Sequence, residues 1–276
     1  MSARVAKTSV KRWNVTKEGL VQTCHEVATA ATLEKAEPQP VRIDARKSAV
    51  VIVDMQNDFC TKGHWTDHWA KSVAPGDISI LRKPIEPIKK MLPHVRAAGM
   101  PVIWLNWGNR GDLANVPNNI FQKSEMFGNG VGLGACAKEG DDTTRILTKG
   151  SKGAAVVDEL QAVMEEDDIH VDKFRISGFY GTQLDCVLRG QGIENVIFCG
   201  VNLDQCVLST LQDASFAGYN CILLEDCCST TSPDFCVQAA LLNIKNIYGF
   251  VSTSTDLAKS LSNLTACMTQ CKFQHS

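Results

Sequence analysis

The sequence predicts an α/β protein: a three-layer α-β-α architecture built on a six-stranded, mostly parallel sheet. Three observations predict it. Short β-branched and apolar runs, continuous rather than alternating, recur along the chain, as strands buried on both faces do. Between them stand segments whose apolar residues repeat at helical spacing. The regular alternation of the two implies right-handed crossovers and helices on both faces of one sheet.

Residues 1–45 are polar and aperiodic and end in Pro38-Gln39-Pro40. They are expected to form an N-terminal arm outside the domain core, of a kind that packs on a neighbouring subunit. The domain itself is expected over 46–264. Its first strand is the run Ser48–Asp54, which closes on an acid. Ile85, Ile88, Leu92 and Val95 then mark a helix before Gly99, and Val102–Leu105 is a second buried strand. From Trp107 to about Gly153 the chain is rich in Gly, Asn and charge, which predicts a long connection with at most short helices. Alternation resumes with strands over 169–171, 195–199, 221–224 and 247–251. Helices are expected over 183–189, 206–216 and 233–244, with a last one from Thr255. Residues 265–276 are expected to be a C-terminal tail, and no repeat or second domain is evident.

The 276 residues are 44% apolar and 21% charged with a formal net charge of −2, an ordinary soluble composition. No basic block could follow a phosphate backbone, so nucleic acid is not an expected partner and a small molecule is. No run approaches the roughly 18 apolar residues of a membrane span. Met1–Gln22 lacks the apolar centre of a secretory signal, which points to a cytoplasmic protein. The basic residues Arg4, Lys7, Lys11, Arg12 and Lys17 that precede Glu18 do bear a faint likeness to an organelle transit segment. The twelve cysteines are expected to be mostly buried small hydrophobes, since no paired C-x-x-C set with zinc spacing occurs.

Three residues stand out for chemistry. Asp54 ends an otherwise apolar strand, where a carboxylate is costly to bury without a partner, although a loop-capping Asp would look the same. Lys173 follows the third strand and would hold such an acid ionised and favour a thiolate, although a lone lysine is more often solvated. Cys206 begins a predicted helix after the turn Gly200–Gln205, where the helix N-terminus would lower its pKa. The same turn offers the backbone N–H groups of Asn202 and Cys206 as an oxyanion hole. Taken singly, Cys206 reads more readily as a buried structural cysteine than as a nucleophile.

Asp54-Met-Gln-Asn-Asp-Phe59 resembles the opening motif of the isochorismatase-like cysteine hydrolases. Lys173, Ser177–Thr182, Leu184, Leu188-Arg189, Gly192-Ile193, Gly200-Val201 and Cys206-Val207 are similar to that superfamily's second and third blocks, in order. The likeness covers roughly residues 45–262. It implies the superfamily's α/β fold, a catalytic triad of Asp54, Lys173 and Cys206, and a cis peptide before Asn202. Leu203 departs from it, standing where threonine is usual. Nicotinamidases of the superfamily bind a metal through Asp-x-His after the second strand. Here Trp104–Arg110 holds neither acid nor histidine, and His64, Asp67 and His68 do not match in position, so neither a metal nor an organic cofactor is expected.

The segment Lys173–Tyr180, the missing metal motif and Gln238–Ile244 look most like ureidoacrylate amidohydrolases and biuret- or triuret-type hydrolases, implying a ureido or carbamoyl substrate. Asn106 and Gln205, with Asn202, would hydrogen-bond such a head, and Phe59, Trp107, Phe179 and Tyr180 would bracket it, although each aromatic could equally be core. In the implied reaction Asp54 is the base, Cys206 the nucleophile and a thioester the intermediate. The alternatives are an isochorismatase-type vinyl-ether hydrolase, which needs no thiol, and a binding protein on an inherited fold. By analogy with the superfamily a homo-oligomer is expected.

Overall fold

The computed structural model describes residues 13–23, 28–68, 77–126, 132–136 and 142–274. Its main sheet has six strands: β5 (Ser48–Val53), β6 (Val102–Trp107), β7 (Ile169–Lys173), β8 (Asn195–Val201), β9 (Asn220–Ser229) and β10 (Gly249–Ser252). They lie in the order β10-β9-β8-β5-β6-β7 and every pairing is parallel. β5 and β8 are buried throughout, as central strands covered on both faces must be.

This order places the site. From β5 the chain moves outward through β6 to β7, then returns to lay β8 against the other side of β5. The reversal makes the carboxyl ends of β5 and β8 a topological switch point, where open parallel sheets form their crevice. Gly200 lets the two strands meet there. Its φ is +117°, and a Cβ would run into the backbone of Val53.

The helices are α1 (Asn57–Cys60), α2 (Ile85–Ala97), α3 (Asn118–Met126), α4 (Asp158–Gln161), α5 (Leu184–Gly190), α6 (Leu208–Phe216), α7 (Asp234–Asn243) and α8 (Ser254–Gln274). Of these, α2 and α5 to α8 fall close to the sequence expectation, α3 lies within the long connection, and the four-residue α1 and α4 were not expected. Two π-helical turns were not foreseen. Leu203–Val207 precedes α6, so Cys206 lies in a widened turn and not in the first turn of an α-helix, and Ile244–Tyr248 follows α7.

The arm is a second difference. The first twelve residues lie outside the described part, but β3 (Ala30–Leu33) and β4 (Val41–Asp44) pair antiparallel. They belong to a four-stranded sheet with β1 (Asn14–Val15) and β2 (Val21–Gln22). Ala31, Leu33, Val41 and Ile43 are buried in the same core as the main sheet, and β3 packs against α8. The alternation of buried and half-exposed residues along Ala30–Leu33 is the period of a one-faced strand, too short and too interrupted by Thr32 to stand out in sequence. The packed body therefore extends well before residue 46. At the other end α8 runs unbroken across residue 265, where a tail was expected. Among the described residues no helix is long and apolar enough to cross a membrane.

Candidate active site

Asp54 follows the last residue of β5 with φ +54°, a left-handed conformation that non-glycine residues seldom adopt. Its amide donates to Leu105 O at 2.9 Å, fixing the turn to β6. Lys173 ends β7, two strands away, a span of about 9–10 Å. Only a long side chain bridges that gap, and it does so over the intervening strand. Lys173 Nζ lies 3.9 Å from the ring centroid of Trp107 on β6 and 3.0 Å from Asp54 Oδ2. It also donates to Arg175 O at 3.2 Å. Both charged side chains are fully buried, so the pair is held in a medium of low polarity, where each charge depends on the other.

Cys206 is buried beside them. Burial pushes its thiol up to about 12, against the pull of the Lys173 charge, and the Asp54 carboxylate adds to the rise. Burial also raises the Asp54 pKa, opposed first by Lys173 and then by the facing Cys206, Lys173 and Trp107 side chains. A thiol pKa lowered at a helix N-terminus is thus not what the structure has. Desolvation outweighs the cation, and the widened turn replaces the helix start. The Val201–Asn202 bond is cis, as the resemblance implied.

The polar residues after Asp54 act as staples. Gln56 is fully buried; its carboxamide accepts from Trp107 N at 2.9 Å and donates to Trp107 O and Ala154 O, both at 2.7 Å. Asp58, also fully buried, accepts from Leu147 N at 2.7 Å and lies 3.2 Å from His64 Nδ1. Together they fasten the long connection to the end of β5 and lock the backbone of Trp107. On the other side Thr210 donates to Cys206 O at 2.6 Å and accepts from Gly178 N at 3.1 Å. The signal for Gln56 and Asp58 was in the opening motif, where their polarity so close to a buried strand went unused; Thr210 gave none.

The expected substrate-binding residues divide. Trp107 is at the cluster. Phe59 is buried and meets Trp65 edge-on, with centroids 5.8 Å apart. Asn106 pairs in register with Asp172 while Trp107 pairs with Lys173, so strand alternation turns Asn106 to the opposite face. There it lines a groove with Lys149, His170 and Asp172 that reaches Trp107 but not Asp54, Lys173 or Cys206. Gln205 is exposed and donates to Ser232 Oγ at 3.4 Å. Tyr180 is 58% exposed, and Phe179 packs 6.1 Å from the Tyr219 ring. None of these last four is brought to the buried cluster.

Buried polar atoms without a hydrogen-bond partner gather at the same strand ends. Among the described residues they include Asn106 Oδ1 and both Nδ2 and Oδ1 of Asn109, whereas the Asp54 carboxylate is met by Lys173, Cys206 and Trp107. Buried groups are normally paired, so the open carboxamide of Asn109 is an exception among the described residues. Among the described residues no group of three or more His, Cys, Asp or Glu could hold a metal ion.

A three-layer α/β body with an acid, an amine and a thiol buried together at the switch point of its sheet defines a class, and comparison with known proteins agrees with it. The isochorismatase domain model matches residues 48–256. The chain is 37% identical over 232 residues to the ureidoacrylate amidohydrolase RutB of Agrobacterium fabrum, taking in 82% of this chain and 95% of that one. Among solved structures, a cysteine hydrolase from Pseudomonas syringae pv. phaseolicola superposes with a TM-score of 0.63 at 25% identity, covering 80% of this chain and 95% of the other. The N-carbamoylsarcosine amidase of Thermoplasma acidophilum follows at 0.54 and 26%, covering 75% and 96%. The chain belongs to the isochorismatase family. Within it, the chain is a hydrolase of carbon–nitrogen bonds other than peptide bonds.

Proposed function

We propose that this protein is a cysteine-dependent amidohydrolase that cleaves a small ureido or carbamoyl compound through a thioester on Cys206. The observation that carries the reading is the fully buried Asp54–Lys173 ion pair facing the buried Cys206 thiol. A thiol pushed up to about 12 keeps its proton in the resting enzyme, so the proton has to leave as the sulfur attacks. Asp54 accepts it, Sγ bonds to the carbonyl carbon, and the backbone N–H groups of Asn202 and Cys206 face the oxyanion. Asp54 then gives the proton to the departing nitrogen as the C–N bond breaks. Water, deprotonated by the same carboxylate, attacks the thioester, and the thiol is regenerated with release of the acid. Lys173 holds the positive charge that keeps a buried carboxylate usable as a base.

The substrate class is supported by the relatives' names, ureidoacrylate amidohydrolase and N-carbamoylsarcosine amidase, and biuret- or triuret-like molecules present the same planar head. The setting is a homo-oligomer in the cytoplasm. The test is ammonia release from a panel of ureido compounds, biuret, nicotinamide and simple amides, on wild type and Cys206→Ser, with and without a chelator. Turnover of a ureido compound that resists the chelator and vanishes in the variant is the expected result. Cleavage surviving in Cys206→Ser would sink the thioester, and hydrolysis of nicotinamide alone would sink the substrate class.

A further inference from the structure

The structure assigns Asn109 as the residue that recognises the N–H edge of the substrate's ureido head. This rests on the proposed function and deepens it. Asn109 is fully buried, yet neither its Oδ1 nor its Nδ2 has a hydrogen-bond partner. Its backbone is in order, with its N–H donating to Leu147 O at 2.8 Å and its carbonyl accepting from Lys149 N at 2.9 Å. Only the side chain is left unsatisfied.

The direction of that side chain follows from the strand. Asn106 and Asp172 share one face of the sheet, and Trp107 and Lys173 the other. A Cβ on Gly108 would meet the Asp172 side chain, so the alternation persists past the end of β6. Asn109, the next residue, therefore turns to the face of Trp107 and Lys173, about 7 Å beyond Trp107 along the chain. It follows the carboxyl end of β6, between the strands that Asp54 and Lys173 close, and we place the head of a substrate whose carbonyl carbon is at Cys206 on that side.

A carboxamide left unpaired in such a place suits one class of partner. It offers one acceptor and two donors in a plane, the complement of a planar ureido group, whereas a purely apolar or anionic head would leave half of it unsatisfied. Oδ1 accepts from the terminal N–H of the head, and Nδ2 donates to a carbonyl oxygen of the substrate. Neither atom has a protein partner to give up when the substrate arrives.

The test pairs the best ureido substrate of the panel with its N-acetyl analogue, in which a methyl group replaces the terminal NH2. KM, kcat and the analogue's Ki are measured on wild type and on Asn109→Leu, a near-isostere, with Asn109→Ala as a second variant. The wild type is expected to favour the ureido compound, and Asn109→Leu to lose about tenfold or more of kcat/KM, mainly through KM, because an unmet donor–acceptor set discriminates strongly. The analogue's Ki and the alkylation rate of Cys206 should hold, and thermal stability should not fall, since no protein hydrogen bond is removed. Unchanged ureido kinetics in both variants would overturn the assignment. So would an equal loss for substrate and analogue, or a drop in stability, which would make Asn109 a structural residue holding a trapped water. If wild type turns over amides but no ureido compound, the proposed substrate class falls and this assignment with it; the outcomes above overturn the assignment alone.

Discussion

Asp54 and Cys206 are both buried, and each is pushed toward its protonated form, which fixes how the site depends on pH. In the proposed mechanism Asp54 must be ionised to accept the thiol proton, and its pKa is raised by burial against the pull of Lys173. Activity should therefore rise with pH through a value above the ordinary aspartate figure of about 3.9, and a kcat/KM profile already flat from that figure upward would contradict it. A second consequence concerns the thiol. With a pKa near 12, the thiolate fraction at neutral pH is minute, so alkylation of Cys206 by iodoacetamide should climb in proportion to hydroxide across the neutral and mildly alkaline range. The readout is peptide mass against a Cys206→Ser control, because Cys186 and Cys267 are exposed and react as well. A plateau near neutrality would mean a preformed thiolate. Removing one partner of the ion pair is a harsher test. Asp54→Asn should cost about 10²–10⁴-fold in rate through loss of the base. It should also cost about 3–5 kcal/mol of stability, as the Lys173 charge is left buried alone. Urea unfolding checks the second figure.

At the scale of elements, the proposed catalytic groups sit at three separate strand ends, those of β5, β7 and β8, and short polar links help to hold them in register. Thr210 is the clearest link, since one hydroxyl joins the Cys206 carbonyl to the Gly178 amide. Thr210→Val keeps the shape and leaves both groups unpaired, so it should cost about 1–3 kcal/mol in urea unfolding and lower kcat/KM by loosening the nucleophile turn. Unchanged stability would mean the two segments are held by other means. Such links explain what was legible in sequence. The central strands were, because parallel strands buried on both faces read as unbroken apolar runs, and Val50–Val53 could hardly be anything else; the edge strand β7, Ile169–Lys173, shows only in its place in the alternation. Asp54, Lys173 and Cys206 were legible because each breaks or follows such a run. Leu33, Val41 and Ile43 were not, since their strands are only four residues long and are broken by Thr32, Arg42 and Asp44. That Asn106 turns to the other face, and that Asn109 was overlooked, has one reason: which face a residue takes depends on register with β7, set by partners such as Asp172, 66 residues on from Asn106.

At the scale of the whole molecule, one surface is at odds with a solitary chain. Phe216 is 73% exposed, Phe235 71%, Ile247 67% and Leu242 58%. All four lie on α6, on α7 or in the π-helical turn after α7, and Phe216 meets the Tyr248 ring edge-on at 5.9 Å. Helix α7 carries apolar residues at Phe235, Val237, Leu241 and Leu242 without a polar face, as expected of a helix covered on more than one side. A second copy of the chain is the cover that the proposed homo-oligomer would supply, and large exposed apolar patches commonly mark such interfaces. The patch also bears on catalysis. The segment leading into α7 is tied to the turn before Cys206, by Thr231 N donating to Asn202 Oδ1 at 3.3 Å and Thr230 Oγ1 to Asp204 Oδ1 at 2.6 Å. An interface on α7 would steady that segment and, through it, the backbone N–H groups set against the oxyanion. Light scattering should give the mass of a dimer or larger for wild type and of a monomer for Phe235→Asp/Ile247→Asp. The monomer should keep its circular dichroism and lose kcat more than it raises KM. A monomeric wild type would remove the interface, and a monomeric variant of full activity would remove its link to the catalytic turn.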